Sequence, residues 1–351
     1  MRILFTDAKP YDRQFFDLAN EAHGFEIVYA KRKLRAETAA MAEGFDVVCA
    51  FVNDKITAEV IETLVAGGVK LLALRCAGYN NVDFQACIDR MHVVRVPAYS
   101  PHAVAEHAIS LLMTLNRKLH RAAQRTREGN FQLHGLLGFD LYGKTAGVVG
   151  TGKIGRIAAE IMRGIGMRVL CSDPFPDAEW AAATGCTYVT FEELCHESRV
   201  ISLHCPITPE NHHLINRETL ALMPDGVILI NTGRGALIKT SDLIEGLKSR
   251  KIGGAALDVY EEEDEYFFED FSNEVIADDN LVRLLSFPNV IVTAHQAFFT
   301  AEALTSIAET TLANIASFAR GDKLLANEIC YRCAASQPCP RMKGEPCFTI
   351  R

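Results

Sequence analysis

The sequence predicts an α/β protein built from two doubly wound parallel-sheet domains. Three observations carry this: short apolar runs alternate with longer amphipathic ones, the alternation restarts after a glycine-rich stretch at 129–143, and 351 residues suffice for two cores. Strands that alternate with helices need crossover connections, and crossovers make the strands of each sheet parallel.

The first series places strands at Ile3–Thr6, Glu26–Tyr29, Asp46–Phe51, Lys70–Arg75 and Val93–Val96, the last ended by Pro97. Ser100-Pro101 then supplies an N-cap followed by proline at the first helical position. Residues 102–127 contain no Gly or Pro, so one long packing helix is expected there. The second series places strands at Thr145–Gly150, Arg168–Ser172, Val200–His204, Val227–Asn231, Gly254–Val259 and Val290–Thr293. A closing helix is expected from about Thr300, with Leu304, Ile307, Ala308, Leu312 and Ile315 at a helical repeat.

Hydrophobic residues at 49% and charged residues at 23% fit a globular protein and exclude a disordered one. A net charge of -8 argues against a nucleic-acid footprint, which would be basic. No run reaches the roughly 20 apolar residues of a membrane helix. Met1 leads directly into Arg2-Ile3-Leu4-Phe5 without a signal-peptide pattern, so a cytoplasmic protein is expected. Cys49, Cys76, Cys87, Cys171, Cys186, Cys195 and Cys205 fall in apolar segments and read as buried thiols of a reducing compartment.

Thr145 to Val149 reads as a buried strand, Gly150-Thr151-Gly152-Lys153-Ile154-Gly155 matches G-x-G-x-x-G, and an Ala/Ile/Met-rich helix follows. Outside that context the six residues would be merely a glycine-rich turn. Within it, Gly150 permits the tight turn, Gly152 lets the backbone approach a diphosphate, and Gly155 lets helix pack closely on strand. The diphosphate then sits on a helix N-terminus, where unpaired N–H groups and the dipole attract anions. The next strand runs into Asp173, 18 residues after Gly155, where a carboxylate accepts hydrogen bonds from the adenosine ribose. A carboxylate repels a ribose phosphate, so the expected cofactor is NAD rather than NADP. Arg168, five residues earlier, is poorly placed to reverse that preference.

Three further segments join a strand end to unusual polar residues, and ligands collect at strand ends in open α/β sheets. They are Asn231-Thr232-Gly233-Arg234-Gly235, Ala256 to Glu263, and Thr293-Ala294-His295-Gln296-Ala297-Phe298-Phe299. Together with the loop at Gly150 they resemble the D-isomer-specific 2-hydroxyacid dehydrogenases, over nearly the whole chain to about residue 329. The strings Leu74 to Asn81, Val96-Pro97-Ala98-Tyr99, Ala105-Glu106-His107-Ala108, His204-Cys205-Pro206 and His295 to Phe298 are similar to the fermentative, pyruvate-reducing branch of that family. The resemblance implies a flavodoxin-like substrate domain at 1–100 plus 300–329, a Rossmann NAD-binding domain at 101–299, and reduction of pyruvate to D-lactate with NADH. A homodimer or homotetramer is expected, without nucleic-acid or membrane partners.

The family's motifs fall on Arg234, Glu263 and His295, and the chemistry accounts for the residue types. Hydride delivery to a ketone leaves negative charge on its oxygen, which needs a proton donor that titrates near neutrality, and histidine is that residue type. The resemblance sets Glu263 on the other ring nitrogen and Arg234, with its planar fork of donors, on the substrate carboxylate and carbonyl. By itself the acidic run from Glu261 to Glu265 reads as a solvated face, and a lone histidine as a structural residue. The resemblance further puts Asp258 on the nicotinamide carboxamide, Lys153 and Ile154 along the diphosphate, Pro206 beside the adenosine, and Thr232 among the cofactor contacts. Backbone N–H groups of Ala77 and Gly78, with the Tyr99 hydroxyl, would hold the substrate carboxylate. Phe51 and Phe298 would bound a small methyl pocket, plain core packing being the equal alternative. Closure of a cleft between the domains would exclude water.

Other D-2-hydroxyacid dehydrogenases and an NAD-sensing, corepressor-like binding protein are the competing readings. The tail at 330–351 exceeds the family's usual length. Its Cys330, Cys333, Cys339 and Cys347 offer a thiolate metal site, against the simpler reading of a mobile extension with exposed thiols.

Overall fold

The computed structural model describes residues 1–263, 266–322, 325 and 327–334, the last two of these by backbone alone. The chain divides into two compact units, one of Met1–Ser100 with the chain from Thr300 onward, the other of Pro101–Phe299.

The first unit alternates β1 (Arg2–Phe5), α1 (Pro10–Asn20), β2 (Glu26–Tyr29), β3 (Val47–Ala50), α2 (Ala58–Ala66), β4 (Leu71–Leu74), α3 (Phe84–Cys87) and β5 (His92–Arg95). Its strands are ordered β2-β1-β3-β4-β5, the flavodoxin-like order, and every pairing is parallel. The β3 and β4 sequences, VVCA and LLAL, are buried at every position, as expected where both faces of a parallel sheet are covered. Just past β4 the Arg75 side chain is also buried, its guanidinium over the Phe5 and Phe51 rings at 4.2 and 4.7 Å.

The second unit opens with α4 (Pro101–Arg117), and here the expected single helix to residue 127 is corrected. Lys118 takes a left-handed backbone, φ +50°, and the chain restarts as α5 (Leu119–Arg127). The reason lies downstream. The Asn116 amide donates to Phe139 O at 2.7 Å and accepts from Phe139 N at 3.0 Å, while Lys118 Nζ donates to Leu137 O. These long-range bonds fix the end of α4 against a preference for helix that residues 118–120 carry only locally. Gly138 crosses so closely that a Cβ would lie 2.6 Å from Asn116 O.

There follow β6 (Thr145–Val149), α6 (Lys153–Gly164), β7 (Arg168–Ser172), α7 (Ala178–Thr184), β8 (Thr187–Tyr188), α8 (Phe191–Glu197), β9 (Val200–Leu203), α9 (Arg217–Leu222), β10 (Val227–Asn231), α10 (Thr240–Lys248), β11 (Ile252–Leu257), α11 (Asp279–Ser286) and β12 (Val290–Val292). The order β12-β11-β10-β9-β6-β7-β8 is a Rossmann arrangement extended by one strand. Strand β8 has two residues, too few to leave an alternation in the sequence. Helix α4 packs on α6 and on β10 to β12, through Ala105, Ala108, Leu112 and Leu115 among its buried residues. The chain order reverses between β6 and β9, and the loops leaving these two strands meet there.

Back in the first unit, α12 (Ala301–Ala319) starts on Thr300, whose hydroxyl accepts from Ala303 N at 3.2 Å. It packs on α1, β4 and β5. Residues 327–329 then run antiparallel to β5, with Arg95 N donating to Asn327 O at 3.1 Å and Ile329 N to Val93 O at 2.9 Å. A short α13 (Tyr331–Ala334) follows.

Cys330 is buried, which corrects the reading of an exposed thiol at that position. The Cys333 side chain, and Cys339 and Cys347 entirely, lie outside the described residues. Six of the seven earlier cysteines are buried and Cys205 is partly accessible. No helix among the described residues is long and apolar enough to cross a membrane.

Candidate active site

The nucleotide loop stands at the crevice where strand order reverses. Gly150 has φ +89°, and a Cβ there would lie 2.6 Å from Cys205 N, so only glycine can turn while passing the exit of β9. In the first turn of α6, a Cβ on Gly155 would lie 1.9 Å from Gly150 O, so the helix rests directly on the loop. Gly152 differs: among the described residues a Cβ would meet nothing within 4 Å, and its φ of −67° suits any residue. Its side faces open space before the N-terminus of α6, where Lys153 and Ile154 begin a turn that no side chain caps. Gly152→Ala is therefore expected to keep the wild-type melting temperature and yet weaken NADH binding about tenfold, roughly 1.4 kcal/mol. Thermal melts beside a fluorescence titration check this, and an equal loss in both would show that Gly152 serves the fold instead.

Asp173 follows β7. Its Oδ2 accepts from Thr151 N at 2.6 Å and its Oδ1 from Phe175 N at 2.8 Å, so each oxygen retains capacity for a ribose hydroxyl. Thr151 is pinned further by the Tyr188 hydroxyl at 2.8 Å. Arg168 is engaged by Glu197 at 2.6 Å. Pro206 is exposed, its carbonyl accepting from Asn211 Nδ2 at 2.7 Å. Among the described residues the buried Thr232 hydroxyl meets no hydrogen-bond partner, a state that a bound polar ligand would relieve. The open face at Gly152, the spare acceptors of Asp173 and the orphaned Thr232 hydroxyl fit a dinucleotide.

His204, given no role from the sequence, supports the loop from beneath. Its Nε2 lies 2.8 Å from the Ser202 hydroxyl, and burial pushes the imidazole down to about 4. An unfolded histidine titrates near 6.5, so as pH falls the unfolded chain takes the proton first. The stability that His204 contributes is complete above about pH 6.5 and is lost between about 6.5 and 4. Replacing it, as in His204→Asn, is expected to flatten the melting temperature across that window by several degrees relative to wild type.

The three residues singled out in the sequence, Arg234, Glu263 and His295, stand on the segments after β10, β11 and β12 respectively. Asn231 Oδ1 accepts from Gly233 N at 3.0 Å and its Nδ2 donates to Arg234 O at 2.8 Å, folding 231–234 into a turn. The Arg234 guanidinium donates to Gly233 O at 2.8 Å through one of its five N–H groups. Gly235 packs on the following loop, where a Cβ would lie 2.0 Å from Tyr260 O. That loop carries Glu263. Its Oε2 accepts from Tyr260 N at 2.9 Å, and its Oε1 lies 2.7 Å from His295 Nδ1. Fixed at both oxygens, the carboxylate orients the imidazole and leaves Nε2 for another partner, with the His295 side chain a quarter exposed.

Asp258, fully buried at the end of β11, does more than the sequence suggests. Its Oδ1 accepts from the Thr293 hydroxyl at 2.5 Å and Gln296 N at 2.9 Å, its Oδ2 from Ala297 N at 2.8 Å, and its carbonyl from His295 N at 2.7 Å. His107 Nε2 approaches Oδ1 at 3.3 Å. This clamp holds His295 at φ +50°, a conformation that costs a non-glycine residue energy. Oδ2 keeps capacity for one further donor. His107 and Thr293 were given no role from the sequence. A histidine inside the apolar pattern of α4 is the signal that was available.

Phe51, Ala77, Gly78 and Tyr99 belong to the first unit. The carbonyls of Ala77 and Gly78 accept from Arg95 Nη1 at 2.7 Å and Cys76 Sγ at 3.2 Å, which fixes the peptides after β4. Tyr99 is partly accessible. Phe51 and, in the second unit, Phe298 are each 8% exposed, so both are core residues whatever else they bound.

Residues 109–297 match the family model described as D-isomer specific 2-hydroxyacid dehydrogenase, NAD binding domain. The chain is 54% identical over 316 residues to a 2-hydroxyacid dehydrogenase homolog of Haemophilus influenzae, covering 90% of this chain and 95% of that one. It is 52% identical over 323 residues to the D-lactate dehydrogenase of Escherichia coli, covering 92% and 98%. The solved apo-structure of D-lactate dehydrogenase from Escherichia coli is similar with a TM-score of 0.86 and 50% identity, covering 94% and 100%. The chain belongs to the D-isomer-specific 2-hydroxyacid dehydrogenases, oxidoreductases that use NAD.

Proposed function

We propose that the protein reduces pyruvate to D-lactate with NADH, with His295 as the acid and base. The observation that carries this reading is the 2.7 Å bond between His295 Nδ1 and Glu263 Oε1. When bound, the nicotinamide supplies the hydride. His295 Nε2–H gives its proton to the carbonyl oxygen as charge builds there, and takes it back in lactate oxidation. Glu263 stabilises the imidazolium, and Arg234 offers paired N–H donors to the substrate carboxylate and carbonyl. The N–H groups of Ala77 and Gly78 and the Tyr99 hydroxyl add to carboxylate binding, while Phe51 and Phe298 keep the substrate's methyl end small. Asp258, through the remaining capacity of Oδ2, holds the carboxamide.

NADH oxidation measured with pyruvate, hydroxypyruvate and longer 2-ketoacids, with chiral analysis of the product, tests the reading. Pyruvate is expected to be the best substrate and D-lactate the product. No turnover, or the L-isomer, overturns it.

The reading includes a cytoplasmic homo-oligomer. Helix α5 buries no residue, and Leu119, Phe131, Leu133, Leu137 and Tyr142 stand 54–88% exposed along one short stretch of chain. Apolar surface so concentrated suits a second copy. The double variant Leu133→Asp/Leu137→Asp is expected to bring the mass measured by light scattering down to that of one chain. An unchanged oligomer would place the interface elsewhere.

A further inference from the structure

Outside the residues assigned above, a group of potential metal-ligating side chains converges among the described residues. His212, His213 and Glu261 each bring a potential ligand atom to within 4.8 Å of one another. In an extended chain successive side chains point to opposite faces. Here His213 has φ +56°, and the two rings lie side by side with centroids 3.8 Å apart. Glu261 meets them from the loop after β11, its Oε1 2.5 Å from His213 Nε2 and its Oε2 accepting from Thr240 N at 3.1 Å, at the start of α10. That second bond fixes the carboxylate as an outer-sphere partner fixes a metal ligand. Burial raises the Glu261 carboxyl, but the hydrogen bonds from His213 and Thr240 outweigh it and hold it below the usual range, so it is an anion at neutral pH. His212 is exposed and the other two are half-buried, which leaves the solvent side open to an ion and its waters.

Two imidazoles and a carboxylate are the donor set of three-ligand zinc sites, whose remaining position is taken by water. To admit an ion bound at about 2.0–2.2 Å by each ligand, the His213–Glu261 pair need open only to roughly 3.3 Å. We propose that His212, His213 and Glu261 form a surface site for a transition-metal ion of the Zn²⁺ and Co²⁺ class, distinct from the hydride-transfer residues. Glu261 lies two residues before Glu263, and Gly235, beside Arg234, rests on the Tyr260–Glu261 peptide. An ion at Glu261 therefore tethers the loop that presents Glu263.

The test titrates the full-length chain with Co²⁺, read by absorption, and with Zn²⁺, read by calorimetry, for wild type, His212→Ala and Glu261→Gln. Wild type is expected to show the weak visible bands of nitrogen and oxygen ligation and a melting temperature that rises with added Zn²⁺. Each variant should bind at least about tenfold more weakly. His212→Ala should also lose the metal-dependent rise while keeping the metal-free melting temperature and turnover. Binding that persists unchanged in both variants, with near-ultraviolet thiolate bands that put the ion on cysteines, overturns the proposal. So does a wild type that binds neither ion.

Discussion

His295→Gln is expected to lower kcat for pyruvate reduction by about 10²–10⁴-fold, the usual contribution of a positioned proton donor. Glutamine keeps a polar end near Glu263 Oε1, which now lies 2.7 Å from Nδ1, but it has no proton to give. In the wild type, reduction consumes a proton and lactate oxidation releases one, so the two directions should respond to pH with opposite signs. Both responses should vanish in the variant. NADH affinity should stay within a few-fold of wild type, since no cofactor role is proposed for the ring. Near-normal reduction with an unchanged pH profile would remove His295 from the mechanism. Glu263→Gln is the graded control: it can still hydrogen-bond Tyr260 N but no longer stabilises a charged ring, so its loss should be smaller and still dependent on pH.

The second large effect is expected from Asp258→Asn, which differs from wild type by one acceptor turned into a donor. The Thr293 hydroxyl, Gln296 N and Ala297 N all donate to this carboxylate, so either amide orientation sets donor against donor in a fully buried place. An unsatisfied group of this kind costs about 1–3 kcal/mol. A fall of several degrees in melting temperature should result. Because the same loop carries His295 at φ +50°, kcat should fall together with stability. Calorimetry and steady-state kinetics on one preparation check both. A variant with wild-type melting behaviour and reduced kcat would mean that Asp258 serves the reaction alone and is no clamp.

The parallel-sheet architecture was legible because it lies in runs of consecutive residues. Val47 to Ala50 and Val227 to Asn231 are apolar enough, and the helices between strands long enough, to declare a covered sheet. Gly150 and Gly155 were legible for a similar reason, since their steric tasks act within six residues of chain. The break at Lys118 was hidden because the bonds that impose it come from 137–139. The Asp258 clamp was hidden likewise, as its donors at 293, 296 and 297 lie some 35–39 residues away in sequence. His204 carried no local mark, because its neutrality follows from burial. Composition and periodicity thus reveal elements, whereas polar ties between elements emerge only once the strands are in register.

The antiparallel return at 327–329 has a bearing on how the chain avoids edge-to-edge strand pairing. In the first sheet β5 is a terminal strand, and its open side would display a row of unpaired amides and carbonyls. Asn327 O and Ile329 N occupy that row through Arg95 N and Val93 O. A chain cut before residue 327 would keep Arg234, Glu263 and His295 and still expose a template for strand addition. Such a protein should precipitate on refolding rather than merely lose activity, so the guard against strand addition is written in a segment apart from Arg234, Glu263 and His295.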